Sequence, residues 1–116
     1  VQVGCWAHVR RKFFEVSTAS KNAVSAQEAM RYIGRLYAVE HEADRKNVTI
    51  EERKVLRQRE AVPILEEFKG WLDKRVDQVP PQSLLGKAIH YALGQWERLV
   101  RYVEDGILTP DNNVSA

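Results

Sequence analysis

Apolar side chains recur every three or four positions along most of this chain, and that period constrains the fold more than any other feature. Such a spacing places side chains on one face of an α-helix, whereas the residues of a strand alternate with a period of two. The pattern is strongest over residues 84–104, which we predict to form a single helix. The apolar face of this helix carries Leu85, Ala88, Ile89, Ala92, Trp96, Leu99 and Val103. The period therefore predicts an all-α fold.

Three earlier helical segments are predicted from the same period and from residues that start or stop helices. The first covers about residues 6–17, and the second ends near Lys46. The second begins at the sequence SAQE (residues 25–28) and the third at TIEE (residues 49–52). Both sequences are spaced as capping boxes, in which side chains bond to the free N–H groups at a helix start.

Pro63 lies inside the third helical segment and lacks a backbone N–H group. It should kink the helix, or divide it so that a new segment starts with Pro63 in its first turn. Two prolines at residues 80–81 stop this segment, and Ser83 is placed to cap the last helix. Gly106 is placed to end that helix in a left-handed conformation.

Together these signals predict a single helical domain over residues 1–116, built as a bundle of about four long helices. Residues 1–3 (VQV) alternate in the manner of a strand and are too short to form a sheet alone. The chain has no Met at position 1, so we expect it to be an internal piece of a larger protein.

Composition excludes several classes of protein. Hydrophobic residues at 44% and charged residues at 29% are typical of a folded globular domain. No apolar run approaches the roughly 20 residues that cross a bilayer, so no membrane partner is expected. Cys5 is the single cysteine, which excludes an internal disulfide and suits a reducing cytoplasm.

The sequence offers no constellation that supports catalysis within this chain. Cys5 and His8 have the spacing of half a zinc site, but the other histidines lie within helical patterns. The same pair lacks an orienting third group for nucleophilic catalysis. We therefore predict no catalytic residue, no metal ligand and no cofactor here, with Cys5 as a small buried residue. The three tryptophans, which lie in phase with apolar stripes, are predicted to be core residues: Trp6, Trp71 and Trp96.

Positive charge is concentrated at the N-terminal end. Residues 1–35 hold six Lys and Arg residues and two acids, whereas the remainder holds 12 bases and 14 acids. Arg10, Arg11 and Lys12 form a basic run on the first helix, which could contact phosphates or could be an ordinary solvated face. Composition alone leaves both interpretations open.

Several motifs, in order along the chain, carry a resemblance to a known family. They are GCWAHVRRKFF (residues 4–14), YIGRLY (32–37), LGKAIHYAL (85–93), QW (95–96), YVEDG (102–106) and PDNN (110–113). This ordered set resembles bacterial transposases of the insertion sequence 66 family over nearly the whole chain.

The resemblance implies a DDE transposase, in which three carboxylates on an RNase H-like domain hold two divalent metal ions, usually Mg²⁺, for DNA cleavage and strand transfer. The first two acids would precede Val1, and residues 1–5 would be the last strand of that domain. The helical body would be an insertion before the helix that carries the third acid. Ala116 stands where the family places its catalytic Glu, which is explained by a spacing variant with the Glu just beyond Ala116, by a degenerate element or by an engineered substitution. Asp111 is interpreted as a turn or cap residue before the next helix.

We therefore expect the parent protein to bind transposon-end DNA in the cytoplasm, with this segment supporting DNA binding or the architecture of a dimer. The side chains predicted to contact the DNA backbone are His8, Arg10, Arg11 and Lys12. The alternative is a helical protein–protein module that drives oligomerisation without touching DNA.

Overall fold

The computed structural model describes residues 5–19 and 21–111, and most of these residues are helical. No strand occurs within the described ranges, so the all-α prediction is confirmed there. The predicted strand-like segment at residues 1–3 lies outside the described residues. The described part extends over 43 × 26 × 22 Å.

Helix α1 spans Trp6–Thr18, close to the predicted range. Cys5 occupies its N-cap position with an extended backbone, and its side chain does not cap the helix. The first N–H groups of α1 are instead satisfied from the far end of the chain, as shown below. The buried residues of α1 are those that the apolar period predicts: Trp6, Val9, Phe13 and Val16.

Helix α2 spans Ala23–Lys46 and begins earlier than predicted. Asn22 precedes it in a left-handed conformation with φ of 65°, which Asn tolerates better than most residues. Because the helix has already begun, Ser25 lies inside it and the predicted Ser25–Glu28 capping box is wrong. Glu28 accepts hydrogen bonds from two side chains of a later helix instead.

The next helical segment is continuous from residue 50 to residue 76 but changes its winding in the middle. It consists of α3 (Ile50–Leu56), a π-helical turn (Arg57–Ala61) and α4 (Val62–Val76). The predicted capping box at the start of α3 is confirmed: Glu52 N donates to Thr49 Oγ1 at 3.1 Å, and Thr49 N donates to Glu52 Oε1 at 2.8 Å.

The π-helical turn explains how Pro63 is accommodated. Val62 N donates to the carbonyl oxygen of Arg57, five residues earlier, and Pro63 follows in the first turn of α4. The wider π-helical turn before Pro63 is where the winding changes to admit a residue that has no backbone N–H group. Of the two outcomes predicted for Pro63, a new segment that carries it in its first turn is the one observed.

The prediction of one helix over residues 84–104 is wrong. The structure has α5 (Leu84–Gly94), α6 (Trp96–Val100) and a 3₁₀-helix (Arg101–Glu104). Gln95 leaves the helical conformation, with φ of −101° and ψ of 3°. The preceding glycine has a low helix propensity, which makes this a weak point of the pattern. A bundle of four long helices is therefore not confirmed.

Of the two predictions for residues that flank this helical region, the cap at Ser83 is correct and the conformation of Gly106 is not. The predicted cap at Ser83 is confirmed, because Gly86 N donates to Ser83 Oγ at 3.0 Å. The left-handed conformation predicted for Gly106 is wrong, since no glycine within residues 5–19 and 21–111 has a positive φ. A Cβ atom on Gly106 would instead collide with the carbonyl oxygen of Ile50. Glycine is required there by close packing rather than by backbone conformation.

The helices surround one hydrophobic core. Helix α1 packs against α2 and α5, and α4 packs against the same two helices. Phe68 of α4 is at the centre, and its ring lies 5.1–6.3 Å from the rings of Trp6, Phe13, Tyr32, Trp71 and Trp96. Trp6 is fully buried, and the other two tryptophans are partly buried against the core, as predicted.

Candidate nucleic-acid interface

The predicted DNA-contacting residues lie on the solvent side of α1. His8, Arg10, Arg11 and Lys12 are all exposed, because the apolar residues of the helix turn its opposite side into the core. The helix therefore presents its basic run to solvent, which a phosphate contact requires.

The four side chains do not converge on one point. Arg10 and Lys12 are two residues apart, so they point about 160° apart around the helix axis. Lys12 Nζ lies over the ring of Tyr91 on α5, 4.6 Å from its centroid. His8 is one helical turn before Lys12 and shares its side of the helix. Arg10 acts electrostatically on Tyr37 of α2, on the other flank. The basic residues thus form a broad surface rather than a pocket.

These charges are available to a ligand. Within the described ranges, no ion pair joins Arg10, Arg11 or Lys12 to an acid. Other cations of the domain are engaged: Arg45 and Lys46 both pair with Glu42. A cation without an acidic partner keeps its full charge for an incoming phosphate.

The start of α1 is joined to residues 110–111, the last residues that the structure describes. Trp6 N donates to the carbonyl oxygen of Pro110 at 3.0 Å. Ala7 N donates to Asp111 Oδ1 at 2.9 Å, and the hydroxyl group of Tyr37 donates to the same oxygen at 2.5 Å. Asp111 therefore caps α1, whereas the sequence predicts that it caps a helix beyond the described residues. The basic surface begins directly beside this junction.

Sequence reasoning did not identify Tyr37 as part of the junction. Burial, followed by the hydrogen bond to Asp111, raises the pKa of the Tyr37 hydroxyl well above its usual range, against the opposing effect of the Arg10 charge. A tyrosine hydroxyl is protonated at neutral pH even without such a shift, so Tyr37 can donate to Asp111. No local signal could reveal the contact, since Tyr37 and Asp111 are 74 residues apart.

The described residues do not fit a metal site. No group of three or more His, Cys, Asp or Glu side chains within residues 5–19 and 21–111 is arranged to hold a metal ion. The Oδ1 atom of Asp111 already accepts two hydrogen bonds. Cys5 is a free thiol that is only half-buried, so the prediction of a small buried residue is not confirmed. We also find no helix in the described part that is long and apolar enough to span a membrane.

The described residues form an all-α fold in which the start of α1 contacts residues 110–111 beside an exposed basic surface. A family model described as "Transposase IS66 family" matches residues 1–115. The chain therefore belongs to the insertion sequence 66 family of transposases.

The relatives found among curated proteins come from Sinorhizobium fredii (strain NBRC 101917 / NGR234). The uncharacterized proteins y4jD, y4hP and y4qI are 31%, 30% and 34% identical to this chain over 95%, 96% and 96% of its length. The aligned region makes up 21%, 22% and 20% of these relatives. The chain thus spans about a fifth of the length of the curated relatives it matches. No solved structure matches it.

Proposed function

We propose that this chain is the helical domain of a DDE transposase, and that α1 contacts the phosphate backbone of transposon-end DNA in the parent protein. The observation that carries this proposal is the exposed basic run on α1. Its cations Arg10, Arg11 and Lys12 have no acidic partner in the described ranges. Family membership supports the transposase part of the proposal.

The joined ends support an insertion in an RNase H-like catalytic domain. A domain inserted into another must receive and return the chain at neighbouring points, and Trp6 and Pro110 are directly hydrogen-bonded. The parent would act in the cytoplasm and use Mg²⁺ held by carboxylates outside the described residues. In this proposal two acids precede Val1 and the third lies beyond Ala116, in a variant of the family's spacing, since Ala116 stands at the position where the family has Glu.

The proposed contribution of α1 is electrostatic. Lys and Arg side chains that neutralise phosphates release condensed counterions, so binding weakens as the salt concentration rises. The basic side chains are spread around the helix, so they can contact several phosphates along a DNA backbone but not converge on the edge of one base. They are His8, Arg10, Arg11 and Lys12. They would orient DNA next to the junction of the chain ends without reading its sequence.

The test compares the full-length transposase with a variant in which Arg10, Arg11 and Lys12 are replaced by Ala. We expect weaker binding to transposon-end DNA, and a plot of log K against log salt whose slope falls by about one for each lost phosphate contact. The matched control replaces Lys54, Arg59 and Lys74 by Ala, which removes the same charge from exposed positions on other helices.

If the folded triple variant binds DNA with unchanged affinity and unchanged salt dependence, the DNA-contact proposal is wrong. An equal loss in the control variant would also contradict it, because net charge alone would then explain the effect. Circular dichroism of both variants establishes that the helices are retained.

A second candidate function is an oligomerisation module, and one surface feature favours it. An open groove lies between α4 and the α6 region. Five apolar residues line it, together with four polar or charged ones: Val62, Leu65, Trp96, Val100 and Val103, and Gln58, Glu66, Lys69 and Glu104. A homodimer could bury this surface. A mass that rises with concentration in ultracentrifugation, together with DNA affinity that does not respond to salt, would favour this candidate over the first.

A further inference from the structure

The junction of the chain ends is more elaborate than an ordinary helix start. We call it the end clamp and define it by Trp6, Ala7, Tyr37, Pro110 and Asp111, which are joined by the three hydrogen bonds given above. Helix caps are usually supplied by the residue at the N-cap position itself. In α1 that residue is a cysteine whose side chain makes no cap.

Asp111 supplies the missing cap from 104 residues away. Its carboxylate satisfies a free N–H group in the first turn of α1, where a negative charge is also favoured by the helix dipole. Pro110 adds a second contact through its carbonyl oxygen and is itself buried. Proline fixes its own φ and restricts the residue before it, so little freedom is left at this point of the chain.

Tyr37 brings a third element into the clamp. It lies on α2, and its hydroxyl group donates to the same Asp111 oxygen that accepts from Ala7. Asp111 is therefore held by α1 and α2 together. Two helices that pack extensively on each other thus fix the place where the chain leaves the helical domain.

We propose that Tyr37 and Asp111 are positioning residues for the reaction of the parent transposase. The end clamp holds Pro110 and Asp111 against the start of α1, and this contact would keep the catalytic segments of the parent protein correctly placed relative to each other. This inference rests on the proposed function, because it assigns the reacting groups to the parent protein. Neither residue touches the reacting atoms.

The experiment uses the full-length transposase with Tyr37→Phe, Asp111→Ala and Asp111→Asn. The first variant removes only the donor, the second removes the acceptor, and the third keeps an acceptor oxygen without the charge. Asp73→Ala is the matched control, since it removes an exposed carboxylate that pairs with Lys69 on α4. Each protein is measured for three quantities: amide hydrogen exchange in the peptide that contains Trp6 and Ala7, affinity for transposon-end DNA, and the single-turnover rate of DNA cleavage at saturating DNA with Mg²⁺.

For Asp111→Ala we expect exchange at the start of α1 to rise about fivefold, as the loss of a helix cap implies. The cleavage rate should fall by about tenfold or more, because small displacements of reacting groups are costly, while DNA affinity stays within about twofold. Tyr37→Phe should act in the same direction, and Asp111→Asn should restore most of the rate. The double variant Tyr37→Phe with Asp111→Ala should be no worse than Asp111→Ala, because both remove a shared interaction.

Unchanged exchange in Asp111→Ala would overturn the clamp itself. Raised exchange with an unchanged cleavage rate would overturn the positioning role and leave only a structural cap. A loss of DNA affinity equal to the loss of rate would also overturn it. If the unmodified protein binds DNA but cleaves none in Mg²⁺, the proposed function and the positioning role fail together, whereas the exchange data still decide whether the clamp exists.

Discussion

At the scale of single residues, the deepest charge in the described part of the chain is Arg57, which is 1% exposed. Its Nε and Nη2 atoms donate to the two carboxylate oxygens of Glu40 at 2.9 and 2.7 Å. Its Nη1 atom donates to the carbonyl oxygens of Tyr102 and Asp105 at 2.9 and 2.6 Å. The guanidinium group therefore crosslinks α2, the π-helical turn and the end of the 3₁₀-helix. Nothing in the sequence distinguishes Arg57 from the exposed arginines, because its role depends on carbonyl groups 45 and 48 residues away.

Removing this guanidinium group should be strongly destabilising. Arg57→Met leaves the buried Glu40 with one ion-pair partner, Arg53. It also removes the hydrogen-bond donor of the Tyr102 and Asp105 carbonyl oxygens. Breaking a buried ion pair typically costs about 3–5 kcal/mol, and the remaining Arg53 contact places our expectation near the lower end, about 3 kcal/mol of unfolding free energy. Urea unfolding of the chain measures the effect.

Lys69→Met is the control: it breaks a partly exposed pair and should cost less than about 1 kcal/mol. Equal losses in the two variants would show that burial of the Arg57 pair has no special role.

At the scale of helices, local signals in the sequence account for much of the fold. The apolar period of α1, the Thr49 capping box and the Ser83 cap all depend on residues within one turn of each other, and the structure confirms each. The sequence predictions are wrong where contacts between residues far apart in the chain determine the local structure. The helix break after Gly94 accompanies the packing of Trp96 against Trp6, whose ring centroids are 5.8 Å apart. Glycine is required at position 106 because the backbone of Ile50 lies too close for a Cβ atom. The basic surface was predictable because it needs only exposure on one helix, whereas the end clamp was not.

Glycine substitutions separate close packing from helix propensity. Gly86 lies in α5, where a Cβ atom would collide with the backbone carbonyl oxygen of Pro80. Gly86→Ala should therefore lower the unfolding free energy by about 1–3 kcal/mol, as overpacking does. Gly70 lies in α4, where an added Cβ atom would meet no neighbouring atom within 4 Å, so Gly70→Ala should raise stability by about 0.5–1 kcal/mol. Chemical denaturation of both variants gives the two signs, and a stabilising Gly86→Ala would contradict the observed approach of Pro80.

At the scale of the whole molecule, the hydrophobic core and the junction are connected through one residue, Trp6. The aromatic cluster around Phe68 joins α1, α2, α4 and α6 through the rings of Trp6, Tyr32 and Trp96. Trp6 belongs to both parts, because its indole N–H donates to the carbonyl oxygen of Leu99 at 3.0 Å while its backbone N–H donates to Pro110. The basic surface of α1 starts two residues later, at His8.

This arrangement predicts that the helical domain can be removed from the parent protein without unfolding the rest. Replacing residues 7–109 by about four Gly and Ser residues should suffice, since Trp6 N and Pro110 O are 3.0 Å apart and four extended residues reach about 13 Å. We expect the shortened protein to keep a cooperative thermal transition and to lose the salt-dependent DNA affinity contributed by α1. The same deletion with a linker of about 12 residues is the control, because it relaxes the distance requirement at a small entropic cost. If only the long linker gives a folded protein, the two ends do not meet in the parent. If neither does, the helical domain is an integral part of the catalytic core and not an insertion.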